Sequence, residues 1–211
     1  MEPIKLSGRH IELVPLDFSH AEALAAAAAA DPSLYQWSAV PQGREAVEAY
    51  IAKAVSWRES GIAVPFATLR KSDGAIIGST RFFDIERWAW PPDHVRHGRD
   101  NPDACEIGYT WLTRSAVRTA ANTEAKFLML QHAFENWQVL RISFHTDARN
   151  VRSQAAIQRI GGKFEGVLRS HRMATDFIAR DSHRYAIIAA EWPEVKSRLL
   201  TMLERTAVAP Q

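Results

Sequence analysis

The sequence predicts an α/β domain whose sheet is at least partly antiparallel. Two observations carry this. Segments of strand period alternate with segments of helical period along the whole chain. In addition, Asp73-Gly74 sits between two neighbouring segments rich in β-formers, which marks a hairpin and therefore an antiparallel pair. The order reads β-αα-ββ-β-α-β-α-β-β-α. With 211 residues and no Pro/Gly/Ser linker or internal repeat, residues 1–211 are expected to form a single domain.

Taken in order, Arg9 to Pro15 reads as a first strand. Ser19 with Glu22 has the spacing of a capping box, and the alanines from Ala25 to Ala30 favour helix. Val47, Tyr50, Ile51 and Ala54 mark one face of a second helix. Ala63–Leu69 and Ala75–Ile85 are the two strands of the hairpin. Glu86 to Ala104 has no periodicity and holds Trp88, Trp90, Pro91 and Pro92, an unusually long loop for a compact domain. Glu106–Leu112 is the next strand. Phe127, Leu130 and Phe134 share a helical face, and Leu140, Ile142 and Phe144 alternate with Arg141, Ser143 and His145 as a strand. A helix over Asn150–Ile160 stops at Gly161-Gly162, suited to a left-handed helix end. Strands at Phe164–Arg169 and His183–Ala190 precede a last helix with Trp192, Val195, Leu199 and Met202 on one stripe.

Composition narrows the function classes. Lys and Arg number 26 against 24 Asp and Glu, so no strong overall field points to nucleic acid or to a membrane. A single cysteine, Cys105, excludes a disulfide framework and a multi-cysteine zinc site; beside an apolar strand it reads as a small buried filler. No apolar signal segment opens the chain and no run reaches membrane-spanning length, so a cytoplasmic protein is expected. His94 and His97 lack a third ligand, and no metal is expected.

Three segments carry candidate chemistry. In Cys105–Leu112, strict alternation sends Ile107, Tyr109 and Trp111 to the core and Glu106, Gly108 and Thr110 to the opposite face. Glu106 is then either a solvated carboxylate or a catalytic one. Val117 to Lys126 is a turn into a helix N-terminus, whose free N–H groups and dipole suit a pyrophosphate, with Arg114 and Arg118 beside it and Lys126 one turn in. Simple capping by Thr119 or Asn122 is the plainer alternative. Asn150 to Ser153 opens another helix. Asn150 suits its N-cap, and the Ser153 hydroxyl could instead serve as a proton donor, with Arg149, Arg152 and Arg159 nearby. In the long loop, Trp88, Trp90, Asp93, Asp100 and Asp103 either select a cationic amine or pack the loop onto the body.

Glu106-Ile-Gly-Tyr-Thr-Trp-Leu, Asn122-Thr-Glu-Ala-Lys, His132-Ala-Phe-Glu, Asn150-Val-Arg-Ser153 and Gly161-Gly-Lys-Phe-Glu-Gly166 follow one another in a fixed order. So do Gly8-Arg-His-Ile-Glu-Leu near the start and Arg180-Asp-Ser followed by Glu191-Trp-Pro near the finish. This series resembles the GNAT superfamily, in the branch of the RimJ/RimL ribosomal-protein N-terminal acetyltransferases, over nearly the whole chain.

The resemblance implies a mixed, mostly antiparallel sheet whose two central parallel strands splay into a V for acetyl-CoA. It implies transfer of the acetyl group to a primary amine, with Glu106 as base and Ser153, or Tyr109 or Tyr185 in its place, as acid. The donor would contact Trp111, Leu112, Thr113, Arg118, Thr119, Ala120, Ala121, Asn122, Thr123, Asn150 and Ser153. Here the family's glycine-rich turn is altered: Val117 stands for its Gln or Arg, Ala120 and Asn122 for its glycines. A left-handed backbone at Ala120 would be costly. The acceptor is a small-molecule amine or a peptide N-terminus, and a homodimer is compatible with the chain. A domain that binds CoA with little catalysis is the reading from another class.

Overall fold

The computed structural model describes the backbone of residues 4–208 and the side chains of 4–205. The strands are β1 (Leu6–Ser7), β2 (Ile11–Pro15), β3 (Ala63–Arg70), β4 (Ile76–Glu86), β5 (Ala104–Leu112), β6 (Arg141–Asp147), β7 (Lys163–Met173) and β8 (Ala179–Ile188). They form one sheet in the order β1-β2-β3-β4-β5-β6-β8-β7. Every pair is antiparallel except β5 with β6. The β3–β4 hairpin falls where Asp73-Gly74 predicts it: Gly74 takes a φ of +71°, and the Asp73 carboxylate accepts from Ala75 N–H.

The helices are α1 (Ala21–Ala29), α2 (Arg44–Glu59), α3 (Ala121–Gln131), α4 (Val151–Arg159) and α5 (Trp192–Val208). They divide the core between the two faces of the sheet. On one face α1 and α2 bury Leu24, Ala28, Val47 and Ile51 with Trp111. On the other, Met129 and Leu130 of α3 and Val195 and Leu199 of α5 pack with Phe82, Ile107, Ile142 and Phe144. The start of α1 differs from the capping box read at Ser19. Asp17 caps a 3-10 turn, Phe18–His20, by accepting from Ser19 N–H, and the α-helix begins only at Ala21. The last two strands run longer than their apolar patterning indicates. Residues 170–182 are too polar to register as strand, yet they pair as the far end of a hairpin.

Two features of this frame place the site. First, β5 and β6 share only three register pairs: Ala104 with Arg141, Cys105 with Ile142, and Glu106 with Ser143. β6 continues to Asp147 alongside β8, so beyond Glu106 the central strands diverge into a V. Secondly, β5 carries a bulge. Gly108 pairs with Arg81 and Trp111 with Ser79, so two residues of β5 oppose one of β4, and Tyr109 takes a φ of +51°.

The bulge corrects the strict alternation expected for β5. Ile107 faces α3 as expected, and Glu106 faces the other way. After the extra residue the sides exchange: Thr110 reaches Lys126 of α3, while Tyr109 and Trp111 join Glu106 on the α2 side.

Candidate active site

Glu106 is the last paired residue before the V opens, and only 4% of its surface is exposed. Its Oε2 lies 2.7 Å from Nδ1 of His145 and 3.6 Å from the Arg172 guanidinium. The His145 contact has ion-pair distance but not hydrogen-bond alignment, since that ring nitrogen has no aligned partner. His145 faces the ring of His171 at 5.1 Å, and burial together with the neighbouring Arg172 charge lowers the His171 pKa. A buried carboxylate among basic groups is a different object from a solvated strand residue, the plainer alternative for Glu106. The sequence does contain a signal for His145. It belongs to the polar stripe of β6, and pairing Ser143 with Glu106 puts that stripe on the carboxylate's side.

The polar extension of β7 and β8 explains Arg172. This hairpin leans over the α2 side of the V. Arg172 reaches Asp84 of β4 at 3.4 Å, and Thr175 donates to the Gln36 carbonyl at 2.7 Å. Arg149, just before α4, bonds Asp147 and Asp176, and Arg152 donates to the Leu34 carbonyl. Two of the arginines beside Asn150 therefore serve as braces between elements. Asn150 is the N-cap of α4, its side chain accepting from Ser153 N–H at 3.0 Å. Its low exposure, 9%, and this bond match capping in full; the partly buried Ser153 hydroxyl remains available for other contacts.

At the end of β5, Trp111 packs edge-on against Tyr35, whose hydroxyl donates to the Leu112 carbonyl at 3.2 Å. Thr113 N–H donates to the Ile77 carbonyl. The turn that follows accounts for its missing glycines. The left-handed residue is Arg118, with a φ of +63°, whereas Ala120 is ordinary helical backbone at −64°. No glycine is needed at Ala120, and the altered motif costs nothing there. Thr119 accepts from Ala121 N–H at 3.2 Å. The N–H groups of Arg118, Thr119, Ala120, Asn122 and Thr123 find no acceptor among the described residues.

Cations flank this helix start, though not all those expected. Arg118 is exposed, and Arg159 of α4 donates to Thr123 Oγ1 at 3.0 Å. Arg114 is instead paired with Asp31 at 2.7 Å. Lys126 does not face the turn. It is 6% exposed and bonds Thr110 and Thr80 beneath the sheet. Glu124, whose role the motif Asn122-Thr-Glu-Ala-Lys does not reveal, is buried and accepts from the N–H groups of Arg9, His10 and Ile11 at 2.7–2.8 Å.

The long loop packs onto the body. Asp103 accepts from Trp88 N–H and from the Trp90 indole, and Arg96 and Arg99 bond Gln138. His94 stacks on Trp90 at 4.1 Å, and His97 bonds the Trp90 carbonyl. Of the residues that could meet an amine, Trp88, Trp90 and Asp103 are thus engaged with one another, while the carboxylates of Asp93 and Asp100 take no part in this packing. Burial pushes the Cys105 thiol pKa up, in line with a filler role. A hollow of about 190 Å³ between α4 and α5, lined by Gln158, Gly161, Glu191 and Arg198, contains none of these residues.

A mixed, mostly antiparallel sheet with one parallel central pair that splays apart, flanked by helices on both faces, is the architecture of the N-acetyltransferases. Residues 10–163 match the model of the acetyltransferase (GNAT) domain, and the chain belongs to that family. Solved structures agree. A protein described as an acetyltransferase from T. thermophilus is 33% identical, with 96% of this chain and 98% of that one covered and a TM-score of 0.76. A GCN5-related N-acetyltransferase from Brucella melitensis is 25% identical, covering 96% and 86%, with a TM-score of 0.80. Mycobacterium smegmatis RimJ in complex with CoA-disulfide shares the fold at 22% identity, covering 95% and 93%, with a TM-score of 0.74. Among curated proteins, none matches the sequence.

Proposed function

We propose that this N-acetyltransferase transfers an acetyl group from acetyl-CoA to a primary amine by direct attack, with Glu106 as the general base. The observation that carries the reading is the position of Glu106, buried at the point where β5 and β6 part and braced by His145 and Arg172. Acetyl-CoA supplies a thioester whose carbonyl carbon takes the amine as its bond to sulfur breaks. The family's donor fits the residues present: unpartnered N–H groups at the start of α3, with Arg118 and Arg159 beside them, suit a pyrophosphate.

An alkylammonium is no nucleophile, so Glu106 takes its proton, directly or through water. Beyond Glu106, β5 has lost β6 as a partner. Backbone N–H groups on that edge, toward Trp111 and Leu112, would steady a developing oxyanion. As the bond to sulfur breaks, the Ser153 hydroxyl passes a proton to the departing thiolate and recovers one from the attacking nitrogen, which sheds its second proton as the amide forms. Thr113, Thr119, Ala120, Ala121, Asn122, Thr123 and Asn150 complete the donor's surroundings.

The test is Glu106→Gln, assayed by release of free thiol from acetyl-CoA with a panel of amines and N-terminal peptides. At neutral pH kcat should fall by about 10²–10⁴-fold, and the loss should shrink as pH approaches the amine's own pKa. Near-parental kcat across that range would remove Glu106 from the mechanism. Turnover confined to the peptides would favour a protein N-terminus as acceptor.

A further inference from the structure

Arg81 is one of the largest fully buried side chains of the described residues, at 1% exposure, and it has no anionic partner among them. Its Nε and Nη2 make no hydrogen bond. The guanidinium is enclosed by aromatic rings, at 4.2 Å from the Tyr109 centroid, 4.6 Å from Tyr50 and 5.6 Å from Trp57. An arginine cannot shed its charge, and rings offset only part of the cost of burying it. Its neighbouring carboxylates are engaged elsewhere: Glu106 with His145 and Arg172, Asp84 with Arg172.

The position of Arg81 is as informative as its isolation. It pairs with Gly108 on the α2 side of the sheet, two residues along β5 from Glu106. With a strand rise of about 3.3 Å, the two side chains leave the same face roughly 8 Å apart. Of the three rings, Tyr109 has the most open surface, 37% exposed, on the bulge of β5.

Building on the amine-acetylation reading above, we infer that Arg81 binds a carboxylate carried by the acceptor itself. The substrate class is an amine bearing an acid group a few bonds from the nitrogen. The ammonium lies at Glu106, and the carboxylate reaches the guanidinium when the Tyr109 side chain swings aside. Two sources share this chemistry: a free amino acid, or a peptide with an acidic residue next to its N-terminus. The aromatic enclosure makes the pocket selective, because a neutral amide leaves the guanidinium unpaired in a dry site.

The experiment compares matched acceptors on the parent protein: the α-amino acids against their carboxamides, and N-terminal peptides with Glu against Gln at the second position. Readouts are kcat/KM from thiol release and the shift in melting temperature on adding each acceptor. The acid of a productive pair should exceed its amide by at least about 10-fold. Arg81→Met should cut the acid's kcat/KM on the order of 10²-fold while leaving the amide's within a few fold, since removing one member of a buried charge pair is worth about that much. The pair that shows the preference identifies the source. Equal use of acid and amide by the parent overturns the assignment and leaves the acetylation chemistry standing. An equal loss on both in Arg81→Met also overturns it, making Arg81 a packing residue. A melting shift for acids alone, without turnover of any amine, keeps Arg81 and overturns the acetylation reading. Neither shift nor turnover across the panel overturns both. The parent comparison stands even where Arg81→Met fails to fold.

Discussion

Replacing Lys126 with methionine should remove a strong pH dependence of stability that this one side chain creates. Lys126 is buried under the sheet, and desolvation lowers its pKa from the ordinary 10.5 to about 7. Between those values the unfolded chain carries the proton and the folded chain does not. The unfolded state therefore binds more protons, and stability rises with pH through this window. One proton corresponds to about 1.4 kcal/mol per pH unit, and with the folded side chain half-protonated at pH 7 the parent should gain about 2 kcal/mol between pH 7 and 9 from Lys126 alone. Methionine has similar length, and the two hydroxyls it would abandon already bond each other at 2.7 Å, so no polar group is orphaned. The assay is urea unfolding of both proteins across that range, read as the difference between them. Taking the difference cancels other groups, including Cys105 and the buried Tyr35 and Tyr185, whose raised pKa values act in the opposite direction at the alkaline end. Lys126→Met should be the more stable protein at pH 7, with its advantage shrinking as pH rises. A difference independent of pH would mean that Lys126 stays charged in the fold, and the burial argument would fail.

Arg118→Glu should weaken CoA binding measured by calorimetry, and added salt should weaken the parent's binding in the same direction. Parental affinity in that variant would displace the pyrophosphate from the start of α3. Gly8→Ala should destabilise the protein by about 2 kcal/mol or more in denaturant titrations. A Cβ there would sit 2.4 Å from Glu124 Cδ and push away a carboxylate holding three N–H groups. Unchanged stability would show that the β1–β2 turn relaxes without loss.

Much of this molecule can be read from one-dimensional patterns. The Asp73-Gly74 hairpin, the α3 and α5 stripes and the Gly161 helix end all rest on rules that act within a few residues, and each is found in place. Strand parity also puts Glu106 on the face opposite Ile107, as found, but leaves open whether it is solvated or buried. What failed needed long-range information. The extra residue at Tyr109 reversed the faces of Thr110 and Trp111, and nothing local signals a bulge there. The β7–β8 extension is polar because it stands over the cleft and is not packed on the core, so a hydrophobic pattern could not find it. Lys126 and Glu124 look like ordinary surface residues of a helix, yet both are buried, one beneath the sheet and one clasping Arg9 to Ile11.

Mechanically, the sheet is two plates on a short hinge. One plate comprises β1 to β5, the other β6, β8 and β7, and only the pairs from Ala104–Arg141 to Glu106–Ser143 join them within the sheet. A load applied to one plate passes to the other through that hinge, through α3 and α5 pressed against both, and through the Arg172–Asp84 strut across the gap. Glu106 lies at the pivot, where opening or closing the plates moves it least. The carboxylate would thus keep its place while the walls around it adjust to whatever enters between them.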